Sequence, residues 1–213
     1  MVRHARRHRA LCQGTFGLST LFAAGLGTAF EMHAPDLPAL QRFFVENPEY
    51  QLLVEGEPPG PDAAQKAFDA RPPADWPLKK KWLIGFRSKK GGNKNADLIA
   101  VADLLEDLFI PGVWHLGLFI VATHLHGRGV AQALYEALEI WLRERGCNWI
   151  RLGVVIGNVR AERFWEKCGY VEVRRRLGVP YGRKVNDLRV MVRPLGDEKL
   201  SDYLAKVARD RSE

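Results

Sequence analysis

The sequence predicts an α/β fold in a single domain, and three observations carry that prediction. Residues 116–121 form a short, almost unbroken apolar run, followed by the turn His126-Gly127-Arg128-Gly129 and then by apolar residues at helical spacing. Residues 149–156 repeat the order, with a strand-like run leading to a helix that opens at Asn158. The chain has 213 residues, 46% of them hydrophobic, enough for one sizeable core and hardly for two.

Residues 1–27 are set apart as an N-terminal extension. Arg3, Arg6, Arg7 and Arg9 lie in an acid-free start, and residues 11–30 are uncharged but broken by glycines and hydroxyls. The outline is that of a secretory signal, with Gly27 and Ala29 near a cleavage point, but it makes a poor membrane span. A disordered or loosely packed extension and a targeting signal or tether both accommodate it. The domain itself is expected at 28–196, opening with a strand at 28–33. Asp36 then caps a helix whose apolar face is Leu37, Leu40, Phe43 and Phe44, closing near Asn47-Pro48.

Six of the 12 prolines fall in residues 56–77, around a short helical stretch at 62–70. Strands are expected at 82–86 and 96–104, joined through the hairpin-like Gly91-Gly92-Asn93. Beyond the run at 116–121, Val130, Leu134, Ala137, Leu138, Trp141 and Leu142 form the buried stripe of a helix. Arg143 and Arg145 sit in its last turn and Gly146 just past its end. Residues 170–176 and 185–192 read as a closing antiparallel pair. Residues 197–213 form a C-terminal amphipathic helix, apolar at Leu200, Tyr203, Leu204 and Val207, which docks on the domain or on a second subunit as in a homodimer.

The net charge of +7 raises a nucleic-acid reading, but much of it is local. Without the four N-terminal arginines, 28 of the 32 Lys and Arg remain against 25 Asp and Glu, a balance of +3. No RNA-recognition, helix-turn-helix or zinc-finger pattern is present, so nucleic acid is not the expected partner. Cys12, Cys147 and Cys168 show no metal or disulfide spacing, which fits a reducing, cytoplasmic setting.

The glycine turn before the long helix is either a tight turn or a phosphate site. A helix start leaves backbone N–H groups unpaired and carries partial positive charge, so it suits an anion that a glycine backbone lets approach closely. The later segment contains Asn158, Ala161, Phe164, Trp165, Gly169 and Tyr170. In this order, with Gly129 and Ala131 upstream, the chain resembles the GNAT superfamily of acyl-CoA-dependent N-acyltransferases. The resemblance covers most of the chain after about residue 28, the first third in general layout only.

That resemblance implies a mixed, mostly antiparallel central sheet flanked by helices, and acetyl-CoA as co-substrate. It implies that pantetheine lies along Leu118, Phe119 and Ile120 as an added strand. The phosphates rest on His126, Gly127, Arg128, Gly129, Val130, Ala131 and Gln132, with Asn158 and Trp165 completing the cofactor site. It also implies that residues 56–77, read from composition alone as a poorly ordered linker or a stiff surface loop, form one wall of the acceptor cleft; their excess of acids suits a cationic amine and equally a solvated loop. The amine of a small molecule or protein attacks the thioester directly.

The chain departs from the family pattern in three ways. His126 stands where glutamine or arginine is usual, the connection before it is one residue longer than common, and Trp165 occupies the place of a tyrosine acid. An indole N–H is a donor that does not titrate usefully. For a base the sequence offers His115, Asp103, Glu106 and Asp107 without choosing among them, so the catalytic residues stay unassigned. A non-catalytic acyl-CoA-binding or sensing module is the alternative that the tryptophan and the unassigned base leave open.

Overall fold

The computed structural model describes residues 20–89 and 98–212. Eight strands form one sheet: β1 (Thr20–Ala24), β2 (Gly27–Glu31), β3 (Lys80–Ser88), β4 (Leu98–Glu106), β5 (Val113–Val121), β6 (Trp149–Val155), β7 (Val171–Tyr181) and β8 (Lys184–Pro194). Their order is β1-β2-β3-β4-β5-β6-β8-β7, and among the described residues β5 with β6 is the single parallel neighbour pair. The expected α/β class and mostly antiparallel sheet are therefore what the chain adopts.

The helices are α1 (Leu37–Glu46), α2 (Glu49–Val54), α3 (Ala63–Asp69), α4 (Val130–Arg143), α5 (Val159–Lys167) and α6 (Leu200–Lys206). Helix α4 buries Val130, Leu134, Leu138, Trp141 and Leu142 on one side of the sheet, the stripe expected from spacing. They meet Ile84, Phe86, Trp114, Leu116 and Ile150 in the larger core cluster. On the other face Leu40, Phe43 and Phe44 of α1 pack on Leu83, Val101 and Ile120. Asp36 precedes α1 as expected but makes no side-chain cap to it; its carboxylate instead accepts from His33 N at 3.0 Å and from Arg87 at 3.0 Å.

The sheet begins at Thr20, inside the segment whose composition marks it as an extension. Strand β1 pairs antiparallel with β2 across Gly25 and Leu26, and Ala24 is fully buried. The small residues that resemble a cleavage site let β2 lie close against its neighbour: a Cβ on Gly27 would stand 2.3 Å from the Arg87 carbonyl oxygen. Residues 1–19 and the Gly91-Gly92-Asn93 signal lie outside the described residues. Among the described residues no helix is long and apolar enough to cross a membrane.

The C-terminal segment is shorter as a helix than its periodicity suggests and docks on its own domain. Tyr203 and Val207 join Val113, Trp149 and Val192 in a third apolar cluster. Beyond α6 a short 3-10 turn buries Asp210, which accepts from Arg151 Nε at 2.6 Å, from Arg151 Nη2 at 3.1 Å and from the Tyr203 hydroxyl at 2.5 Å.

Candidate active site

The site begins where two parallel strands part. Pairing between β5 and β6 runs from Val113 opposite Trp149 to Leu116 opposite Leu152 and stops there. At that point the register of β5 against β4 shifts, with Leu104 opposite Leu116 and Asp103 opposite Leu118, so Gly117 is the extra residue of a bulge. A bulge bends its strand and re-aims the chain beyond it. From Leu118 to Val121, β5 stays paired with β4 on one side, while β6 stays paired with β8. The facing edge of β5 is left unpaired toward the gap, a row of backbone groups able to take an added extended segment.

Helix α4 starts at the same gap. Gly129 is its N-cap, with φ of +74°, and Gly127 has φ of +72°, conformations that glycine adopts without strain. The first intrahelical bond runs from Ala133 N to Gly129 O at 3.1 Å, and no side chain caps the helix start. The N–H groups of Val130, Ala131 and Gln132 are thus the orphan donors of a helix N-terminus. A Cβ built at Gly127 or Gly129 meets nothing within 4 Å, so the cradle is open.

These features line one cleft of about 390 Å³. Of the residues expected to hold the cofactor, Leu118, Phe119, Ile120, His126, Gly127, Gly129, Val130, Ala131, Gln132, Asn158 and Trp165 all line it. Arg128 does not; it is exposed in the same turn. Leu118 and Phe119 are only half-buried because the strands splay, where the unbroken apolar run suggests burial on both faces. Asn158 caps α5, its side chain accepting from Ala161 N at 3.3 Å. Trp165 is 8% exposed and packs edge-on against Tyr135, Phe164 and Tyr170. Cys168 is a buried neighbour whose thiol burial pushes up to about 11.

The opposite wall is a correction to the sequence reading. Residues 56–77 do not line the cleft. Gln41 ties that segment to α1, donating to Gly60 O at 2.8 Å and accepting from Ala64 N at 2.9 Å. The wall is α2, through Glu49, Tyr50, Leu53 and Val54. Burial pushes the Tyr50 hydroxyl pKa up, so it remains neutral. The β7–β8 hairpin reaches over to α2: Asn186 donates to Val54 O at 2.8 Å and Arg183 pairs with Glu57 at 2.8 Å.

None of the four base candidates lines the cleft. Asp103 pairs with Lys81 at 3.0 Å, burial raising its carboxyl against the pull of that cation. Glu106 accepts from Lys79 at 2.6 Å and from the Trp82 indole at 2.8 Å. Asp107 accepts from Gly112 N at 2.8 Å and closes a turn. His115 accepts at Nδ1 from Arg151, 3.2 Å away. Burial, and then the Arg151 charge, hold its pKa down at about 3.

His115 has a stability consequence. Its folded value lies below the ordinary 6.5, so as pH drops from about 6.5 toward 3 the unfolded chain gains a proton that the folded one refuses. Stability is fully present above that window and falls within it. His115→Gln keeps an acceptor for Arg151 without the titration, and urea unfolding at stepped pH should show a shallower acid loss. An unchanged slope would remove His115 as the cause.

The comparisons with known proteins come to the same architecture. The family model described as the acetyltransferase (GNAT) family matches residues 49–170. The chain is similar in structure to the ribosomal-protein-S18-alanine N-acetyltransferase from Escherichia coli, with TM-score 0.57 and 18% identity over 82% of this chain and 97% of that one. It is similar to an acetyltransferase from Thermus thermophilus, with TM-score 0.59 and 20% identity over 77% and 94%. It is also similar to spermidine N-acetyltransferase from Vibrio cholerae, solved with CoA and spermine, with TM-score 0.61 and 17% identity over 80% and 96%. A search of curated protein sequences finds no match.

Proposed function

The chain belongs to the GNAT acetyltransferase family and is an acetyltransferase, and from that premise we propose that it transfers acetyl from acetyl-CoA directly to a primary amine of a small molecule or protein. The observation that carries this reading is the meeting, in one cleft, of an uncapped helix start and an unpaired strand edge. The amides of residues 130–132 would hold the pyrophosphate, with Gly127 and Gly129 giving the backbone its close approach. The backbone of Leu118, Phe119 and Ile120 would hold the pantetheine arm as an added strand. Asn158 spends its side-chain oxygen on the α5 cap, which leaves its amide N–H groups for the same arm.

When bound, acetyl-CoA supplies an activated thioester. The chain itself supplies position and exclusion of water, the larger part of what direct transfer between two bound reactants needs. Trp165 can donate but not release a proton, so it does not serve as the acid that the family pattern places at this position. The acceptor would enter beside α2, past Tyr50, Leu53 and Val54. Two structural neighbours are named for a ribosomal-protein alanine and for spermidine, so both acceptor classes belong in the proposal. A cytoplasmic location, where the co-substrate is available, completes the reading.

The test is release of free thiol from acetyl-CoA in the presence of polyamines, amino-acid amides and peptides with free N-termini. At least one class should raise release well above hydrolysis and become acetylated on nitrogen. Binding of acetyl-CoA with no acceptor-dependent release from any class would overturn direct transfer to an amine.

A further inference from the structure

His126 stands where the family pattern has glutamine or arginine, and both of its ring nitrogens are engaged. Nε2 lies 2.8 Å from the Val121 carbonyl oxygen and Nδ1 lies 2.9 Å from Arg160 Nη1. A carbonyl oxygen only accepts, so Nε2 carries the proton; a guanidinium only donates, so Nδ1 offers its lone pair. The two partners together specify a neutral imidazole in one tautomer. They also leave the ring no donor with which to reach a phosphate.

What the ring holds is Arg160, the second residue of α5, which lines the same cleft as Gly127, Gly129 and Gln132. Its side chain crosses from the β6 side of the gap to the β5 side. A guanidinium has five N–H donors, and holding one on His126 leaves the rest of the fork for an oxyanion. Resting on the acetyl-CoA reading above, we infer that His126 positions Arg160 as the cation of the phosphate cradle, and does so only while its imidazole is neutral.

The chemistry explains why histidine can stand at this place. A glutamine there would donate from Nε2 to Val121 and accept at Oε1 from Arg160; a neutral histidine presents the same donor and acceptor. An imidazolium presents two donors and a like charge, and so releases Arg160. The charged groups around the pair do not replace the lost lone pair. Glu49, at the start of α2, faces both side chains and attracts either cation. His124 and Arg128 are exposed in the same turn, and Lys167 at the end of α5 adds only positive charge.

The sign of the pH effect separates this arrangement from a histidine that binds phosphate directly, whose protonation would tighten binding. Acetyl-CoA affinity should be measured by titration calorimetry at about pH 8 and at stepwise lower pH, with the charge of the His126 ring followed at each step by its nitrogen NMR signals. The proteins are the wild type, His126→Gln, His126→Ala and Arg160→Gln. Titration of the cofactor's own phosphates affects all four, so each pH is read as the ratio of wild type to His126→Gln.

That ratio should fall about tenfold or more on acidification, the scale of one charge-assisted hydrogen bond. His126→Ala should be weak at every pH, His126→Gln should recover its loss, and Arg160→Gln should be weak and lack the histidine-dependent fall. A ratio that stays flat or rises once the ring carries its second proton overturns the inference. Absence of binding by the wild type at every pH overturns the acetyl-CoA reading and this inference with it. Nitrogen NMR of the imidazole in the free protein needs no variant: protonated Nε2 with bare Nδ1 is expected, and the opposite tautomer contradicts the arrangement.

Discussion

Gly129→Phe is expected to lose acetyl-CoA affinity by about a hundredfold or more while the domain stays folded. Gly129 holds φ of +74° at the start of α4, and a Cβ there meets no protein atom within 4 Å. The fold therefore resists the side chain only through its backbone, at about 1–2 kcal/mol for an L residue in the left-handed region. The ring extends instead over the open amides of residues 130–132. Each charge-assisted hydrogen bond lost there is worth about 1.5–3 kcal/mol, so losing two gives the stated factor. Calorimetry reads the affinity and thermal unfolding the fold. Wild-type affinity in a folded variant would remove the helix start from the account.

Asp210→Ala is expected to be the most destabilising single change in the C-terminal segment, by about 3–5 kcal/mol, because it strands a buried guanidinium. Asp210 is 2% exposed and Arg151 5%, and the carboxylate receives two bonds from Arg151 and one from Tyr203. Burial alone would raise the Asp210 pKa; the Arg151 hydrogen bonds and charge, with Tyr203, outweigh it and hold it below the ordinary value. Its contribution is thus present above the ordinary carboxylate range and lost as pH falls through the depressed folded value. At neutral pH the variant should melt roughly 6–20 °C lower. A melting temperature within two or three degrees of wild type, roughly the shift of 1 kcal/mol, would show that the ion pair does not hold the C-terminal segment in place.

Much of the α4 side of the cleft was legible because its signals are local. The stripe from Val130 to Leu142, the glycines at 127 and 129 and the cap at Asn158 each act within a few residues, and each lies where spacing places it. The α2 side was not legible in the same way. Helix α2 has six residues, too few for a period to show, yet it supplies the wall that the proline-rich 56–77 segment does not. Strand β1 was hidden by composition, since residues 20–27, uncharged and broken by glycine, read as part of an extension, whereas Thr20–Ala24 pair with β2 at the sheet edge.

Long-range pairing accounts for the remainder. His115 has the chemistry of a base, but Arg151, 36 positions away and itself paired with Asp210, donates to it and makes it a half-buried acceptor. Arg160 lies 34 positions from His126, so nothing near the glycine turn announces the cation that crosses to it. Local motifs thus place the elements, while the charges that act on the cleft depend on which elements the sheet brings together.

The central claim is that the cleft between β5 and β6 holds acetyl-CoA, and thermal unfolding with and without that ligand tests it most directly. At about 100 times its dissociation constant, a ligand of the native state adds roughly 2.7 kcal/mol. The account predicts a rise in melting temperature of roughly 5–11 °C in the wild type, absent in Gly129→Phe. No shift in the wild type at millimolar acetyl-CoA would contradict it.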